Sequence, residues 1–156
     1  MKTQIGLIEK NVVAVVDELS KILADEYVLY TKTRHAHWNI TGNDFYYKHK
    51  LFEEQYSQID LIIDNVAERI RMIGHFAPAT LKVFLELTRL SEMTREKNDG
   101  IGFVKELVAD HETVIIKLRE AIPQFQDKYN DAGSCDFITG LMEEHEKMAW
   151  FLRSHL

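Results

Sequence analysis

Apolar residues recur every three or four positions along most of this chain, which is the spacing of one face of an α-helix. Four long stripes of this kind predict helices at residues 5–33 or a little beyond, 45–73, 103–122 and 134–153. Gly74 is expected to stop the second helix, and Pro123 lies where the third is expected to end. Pro78 can open a short helix to about residue 87, since proline fits a first helical turn.

The segments between the stripes are polar and predict connections. Gly42, Asn43 and Asp44 form a turn signal before the second helix, and the last two could cap it. Residues 91–102 and 124–133 are expected to be loops. We therefore expect one domain spanning residues 1–156, an all-α antiparallel four-helix bundle whose short extra helix lies in the middle connection.

Composition narrows the class of protein. Two prolines and seven glycines are too few for a turn-rich β fold. A net charge of -6 does not suit a passive basic surface for DNA. Cys135 is the only cysteine, so no disulfide can form within the chain, and a reducing, cytoplasmic compartment is expected. The first residues mix acidic with apolar positions, which fits neither a signal peptide nor a membrane span.

Candidate chemistry is concentrated on the second helix. His49 and Glu53 are four residues apart and share a face, and Asp64 and Glu68 repeat that relation further along. At about 100° per residue, all four fall on the flank of the helix beside its apolar stripe. His37 ends the stripe of the first helix and can face the same end as His49.

One helix cannot bring both pairs to a single metal centre. At about 1.5 Å per residue, Glu53 and Asp64 are roughly 16 Å apart along the axis, whereas metal–ligand bonds are about 2 Å long. A second copy crossing antiparallel near residues 57–59 would set one pair opposite the other and make each site twice. Two imidazoles and three carboxylates suit both Fe(II) and Fe(III), and the absence of a thiolate argues against structural zinc.

The stretch from His37 to Gly74 resembles the Dps miniferritins, the DNA-protection-during-starvation branch of the ferritin superfamily. The resemblance is carried by HWNITGNDF at residues 37–45, by His49 and Glu53, and by DNVAER at residues 64–69. It implies a catalytic ferroxidase centre with iron ligands His37, His49 and Glu53 from one subunit. Asp64 and Glu68 would come from its two-fold partner.

The resemblance also implies a function. Fe(II) would be oxidised, with hydrogen peroxide as the expected preferred oxidant, and Fe(III) mineral would be stored inside a hollow dodecamer that protects against oxidative stress. Trp38 would stand beside the centre and intercept radicals. Asp127 and Asp136 resemble the acidic residues of the three-fold pores, with Asp131 a weaker third member.

Two features depart from the family pattern. Glu53 stands where aspartate is more frequent, so we expect altered metal spacing rather than loss of the site. The lysine-rich N-terminal tail of DNA-binding members is absent, with only Lys2 and Lys10 near the start, so DNA binding is expected to be absent or weak.

Other interpretations of the sequence remain open. A di-iron site inside one bundle would use Glu-x-x-His repeats, and no glutamate here lies three residues before a histidine. A non-catalytic helical structural protein or a DNA-condensing oligomer would not oxidise iron through His37 and His49. His111 and His145 fall on core stripes and could bind a metal, but hydrogen-bonded interior histidines are the expected interpretation.

Overall fold

A computed structural model describes residues 3–92 and 99–156 of the chain. Five α-helices and one π-helical turn follow one another: α1 (Glu9–Asn39), α2 (Phe45–Met72), α3 (Leu81–Leu87), α4 (Gly100–Pro123), the π-helical turn (Gln124–Lys128) and α5 (Ala132–Arg153). No strand occurs in the described ranges. The prediction of an all-α bundle with a short helix in its middle connection is confirmed.

The four long helices pack as two antiparallel hairpins. α1 packs along α2 and α4 along α5. Side chains join the hairpins: Lys32 on α1 reaches Glu106 on α4, and Gln55 on α2 donates to the carbonyl of Met148 on α5. The short α3 lies against α1. The apolar stripes meet in one core, in which Phe52 and Phe125 are fully buried.

Two helix starts differ from the prediction because of the hydrogen bonds that nearby side chains make. Asp44 occupies the N-cap position of α2, but its carboxylate accepts from Lys48 Nζ at 2.9 Å and caps nothing. The short helix begins at Leu81 rather than Pro78 because the Thr80 hydroxyl caps it by accepting from Val83 N. Gly74, at φ +98°, ends α2 as expected, in a backbone conformation that suits glycine.

The third long helix was predicted too short at both ends. It begins at Gly100, where the Asp99 side chain accepts from Gly102 N, so the predicted loop ends earlier than residue 102. Pro123 does not stop the chain from winding on, since a π-helical turn follows directly. Burial of Phe125 holds this turn against the core and outweighs the missing amide of the proline.

Candidate metal centre at the α1–α2 junction

Two histidines meet where α1 ends and α2 begins. His37 Nδ1 lies 2.8 Å from the backbone oxygen of His49, and His49 Nδ1 lies 2.9 Å from the backbone oxygen of His37. The two rings stack with centroids 3.7 Å apart and planes inclined by 24°. These reciprocal bonds join the two helices at the turn and hold both rings side by side.

The reciprocal bonds determine which nitrogen of each ring carries hydrogen. A backbone oxygen only accepts, so each Nδ1 must donate, and in the neutral ring Nε2 then keeps its lone pair. Among the described residues neither Nε2 has a hydrogen-bond partner. Bonding of the other ring nitrogen to a carbonyl is the usual support of a metal-binding histidine. His37 and His49 therefore hold two Nε2 lone pairs side by side in fixed orientations.

Glu53 lies one turn beyond His49 on α2 and is the nearest predicted carboxylate of the same chain. Its carboxylate accepts from Lys50 Nζ at 2.6 Å. That hydrogen bond and the charge of Lys50, followed by the nearby His37 and His49, lower the pKa of Glu53. Glu53 is thus an ionised carboxylate beside the two rings, and it is paired with the Lys50 ammonium.

The other two predicted ligands lie at the opposite end of the same face. Asp64 and Glu68 are solvent-exposed on α2. Glu68 is roughly 28 Å along the helix axis from His49 at about 1.5 Å per residue. Within residues 3–92 and 99–156, no three His, Cys, Asp or Glu side chains converge as a metal-binding set. The chain by itself brings together His37, His49 and Glu53 only as neighbours, and keeps Asp64 and Glu68 apart from them.

An aromatic cluster that the sequence did not reveal borders the histidine pair. The Tyr56 ring lies edge-on to His37 at 5.2 Å, and the guanidinium of Arg34 stands 5.0 Å from the centre of the Tyr56 ring. Arg34 also covers Trp38, at 4.9 Å, and donates to the Tyr30 hydroxyl at 2.6 Å. Trp38 is 64% exposed. The packing of α1 on α2 brings Tyr30 and Tyr56 to the same guanidinium, a contact that helical spacing does not specify.

The acidic residues near the start of α5 separate into two kinds. Asp127 on the π-helical turn and Asp136 on α5 are exposed. Asp131 is buried, caps α5 by accepting from Ser134 N and Oγ, and lies 3.4 Å from Arg69 Nη2. The suggestion that Asp131 joins a pore is therefore wrong, because its carboxylate is already used inside the chain. Of the two lysines near the start of the chain, Lys2 lies outside the described residues.

Within the described ranges no helix has an apolar stretch long enough to cross a bilayer.

Comparison with known proteins agrees with the fold. The profile of the ferritin-like domain matches residues 16–156. A low temperature-induced protein of Nostoc sp. strain PCC 7120 is 39% identical over 99% of this chain and 87% of its own length. DNA protection during starvation protein 2 of Bacillus anthracis is 34% identical over 91% of this chain and 96% of its own.

A solved structure extends the likeness to three dimensions. The Dps protein of Vibrio cholerae O1, described as a member of a broad superfamily of ferritin-like diiron-carboxylate proteins, superposes with a TM-score of 0.90. It shares 28% identity, over 99% of this chain and 96% of that one. The likeness therefore covers both helical hairpins and the short helix between them.

Proposed function

The chain belongs to the Dps miniferritins, a branch of the ferritin-like family, and from that premise we propose that it is a ferroxidase that also stores iron. It would bind Fe(II) as its substrate at sites shared by two subunits, oxidise it, and hold the Fe(III) product in an oligomeric shell. The family supports iron storage and oxidative protection. The shared site, the oxidant and the dodecamer are our proposals.

The observation that carries the proposal is the histidine pair. His37 and His49 each donate Nδ1–H to the other's backbone oxygen, so two Nε2 lone pairs are available next to the ionised Glu53. Imidazole and carboxylate ligands together suit iron in both oxidation states. A solvated helix face would not require two rings held in one tautomer at 3.7 Å.

A second subunit can supply the missing carboxylates. The midpoint between His49 and Glu68 and the midpoint between Glu53 and Asp64 coincide, between residues 58 and 59. A two-fold axis at that point would set two antiparallel α2 helices with both pairs opposed at once. Leu61, 67% exposed near this point, gives the contact an apolar side chain to bury.

The proposed chemistry balances with two iron ions and one peroxide. Each Fe(II) gives up one electron, and hydrogen peroxide takes both electrons and two protons to leave as two waters. Glu53, Asp64 and Glu68 would offset the charge that the iron gains. If peroxide instead took up a single electron, the radical formed would meet Trp38, whose exposed ring can be oxidised in place of other cell components.

The surface supports assembly into a larger shell. Large apolar side chains that one chain leaves open to solvent include Met72, Phe76, Leu81 and Trp150. Scattered apolar residues are normal, but exposed aromatic and aliphatic groups at several helix ends suit repeated subunit contacts. In such a shell the exposed Asp127 and Asp136 would line an entry path that attracts Fe(II). Weak or absent DNA binding and a cytoplasmic location stay predictions.

The proposal is tested by anaerobic Fe(II) titration of the assembled protein, followed by stopped-flow absorbance with peroxide or oxygen. We expect saturable binding of a small number of ions per subunit and faster oxidation with peroxide. Oxidation no faster than in protein-free buffer would reject the ferroxidase and favour a structural or DNA-condensing oligomer. Rates with peroxide that do not exceed those with oxygen would reject only the oxidant preference.

A further inference from the structure

Three ionisable side chains form a hydrogen-bonded chain in the bundle interior. Glu26 Oε1 on α1 lies 2.9 Å from His145 Nε2 on α5, and His145 Nδ1 lies 2.9 Å from His111 Nδ1 on α4. All three residues are fully buried. The interpretation of His111 and His145 as hydrogen-bonded interior histidines is confirmed, and Glu26 is a third member that the sequence did not indicate.

The contact between the two histidine rings limits how many additional protons the three hydrogen-bonded side chains can take up. An imidazolium carries hydrogen on both nitrogens. If both histidines were protonated, two N–H groups would point at each other across the 2.9 Å contact between their Nδ1 atoms. The pair can therefore carry at most one positive charge, and only His145 has the Glu26 carboxylate beside it to offset such a charge.

His111 is left with no second partner. Its Nε2 is buried and has no hydrogen-bond partner in the described part of the chain. Burial, and after it the neighbouring His145, hold the pKa of His111 well below its usual value. A proton arriving on His111 would thus be a buried charge without a counter-ion, which is strongly unfavourable.

Among residues 3–92 and 99–156, no neighbouring helix has a free buried charge to offset that proton. The buried charged side chains of the neighbouring helices form ion pairs of their own: Asp25 with Arg89, Lys32 with Asp110, and Lys48 with Asp44. The other buried polar side chain of α2 apart from Lys48 is Gln55, which donates to the carbonyl of Met148 on α5. Of the carboxylates in the described part of the chain, only Glu26 bonds to the histidine pair, and it does so through His145.

We propose that Glu26, His145 and His111 form an acid-sensitive latch. It joins α1, α5 and α4 while the histidine pair carries no more than one positive charge, and it weakens the bundle when acid supplies a second. The latch lies about eleven residues along α1 from His37, or roughly 16 Å at about 1.5 Å per residue, so it is separate from the proposed iron site. It does not depend on the ferroxidase proposal.

The direction of the effect follows from proton linkage. His111 has a lowered pKa in the folded chain and an ordinary one, near 6.5, when unfolded. Its stabilising contribution is therefore complete above about pH 6.5 and is lost as the pH falls below that value, because only the unfolded chain takes up the proton. Between pH 7.5 and 5.5, one excluded proton raises the unfolding constant by about tenfold per subunit.

The test is urea unfolding of the assembled protein at one fixed subunit concentration, at pH 7.5 and 5.5. His111→Asn places an amide oxygen near the position of Nδ1, which can accept from His145 but cannot become a cation. His155→Asn removes an exposed histidine as the matched control. We expect the acid-induced rise in the unfolding constant to be about tenfold smaller in His111→Asn than in wild type and control. An equal rise in all three proteins would overturn the latch.

A measurement on the wild type covers the case in which His111→Asn does not fold. In protein with ¹³C-labelled histidine, nuclear magnetic resonance can follow the rings of all seven histidines from pH 8 to 5. We expect at least one resonance to stay at its neutral position throughout. Seven resonances that all titrate near pH 6.5 would show that His111 accepts its proton in the folded state, and the proposal would be wrong.

Discussion

Replacing His49 by asparagine separates its two roles at the candidate metal centre. The ring donates Nδ1–H to the backbone oxygen of His37 at 2.9 Å and offers Nε2 to the metal. The asparagine amide nitrogen lies close to the position of Nδ1, so it can keep the bond to His37 while the Nε2 ligand is lost. His49→Asn should therefore damage iron binding much more than folding.

The two effects have different sizes. Loss of a mere outer-shell partner of a metal ligand costs about 10–100-fold in affinity or activity, so loss of a direct ligand should lower Fe(II) affinity by about 100-fold or more. The interhelical hydrogen bond is worth only about 0.5–1.5 kcal/mol, and His49→Asn should retain most of it. His49→Ala, which keeps neither role, should lose that additional stability as well as the ligand.

The assay is anaerobic Fe(II) titration, stopped-flow oxidation and urea unfolding on the same preparations. His75→Asn is the control, because His75 lies outside the centre and its nearest acid is Glu9 at 3.5 Å. We expect wild-type iron binding in the control and near-wild-type stability in His49→Asn. If His49→Asn bound and oxidised Fe(II) as the wild type does, the assignment of Nε2 as a ligand would be refuted.

Two further changes test the oxygen ligands and the entry path. Lys50→Gln removes the cation that occupies Glu53, so Fe(II) should bind a few-fold more tightly, most clearly at low salt where an exposed charge is least screened. Unchanged binding at low salt would mean that Lys50 does not compete with iron. Asp127→Asn combined with Asp136→Asn should slow mineral growth at low Fe(II) concentration while sparing the stability of the subunit. An unchanged rate of growth would remove both residues from the pore.

The sequence predicts the bundle well because its helices are long and strongly periodic. It fails at helix ends, where one side chain chooses between partners. Asp44 was expected to cap α2 and instead binds Lys48, whereas Asp131 was expected at a pore and instead caps α5. Spacing puts each partner within reach, Lys48 four residues after Asp44 and Ser134 three residues after Asp131, but it does not decide which of the available hydrogen bonds forms.

At the candidate metal centre, the sequence likewise predicts spacing along one helix but not the contacts between helices. Spacing along α2 was enough to pair His49 with Glu53 and to show that Asp64 is too far away to join them in one chain. The tautomers of the histidines could not be predicted, since they depend on backbone oxygens across the turn. The position of Tyr56 beside His37 likewise follows from the packing of α1 on α2, which the periodic pattern does not specify.

The proposed metal pocket is completed by two molecules together, and mixed assemblies can show whether it is. One chain carries His49→Asn and the other carries Asp64→Asn with Glu68→Gln, and each alone should be inactive. In an equal random mixture half of the two-fold pairs are mixed, and each mixed pair contains one fully native site and one doubly impaired site. If the site is shared, about a quarter of wild-type ferroxidase activity should be recovered. No recovery in verified mixed assemblies would contradict a shared site.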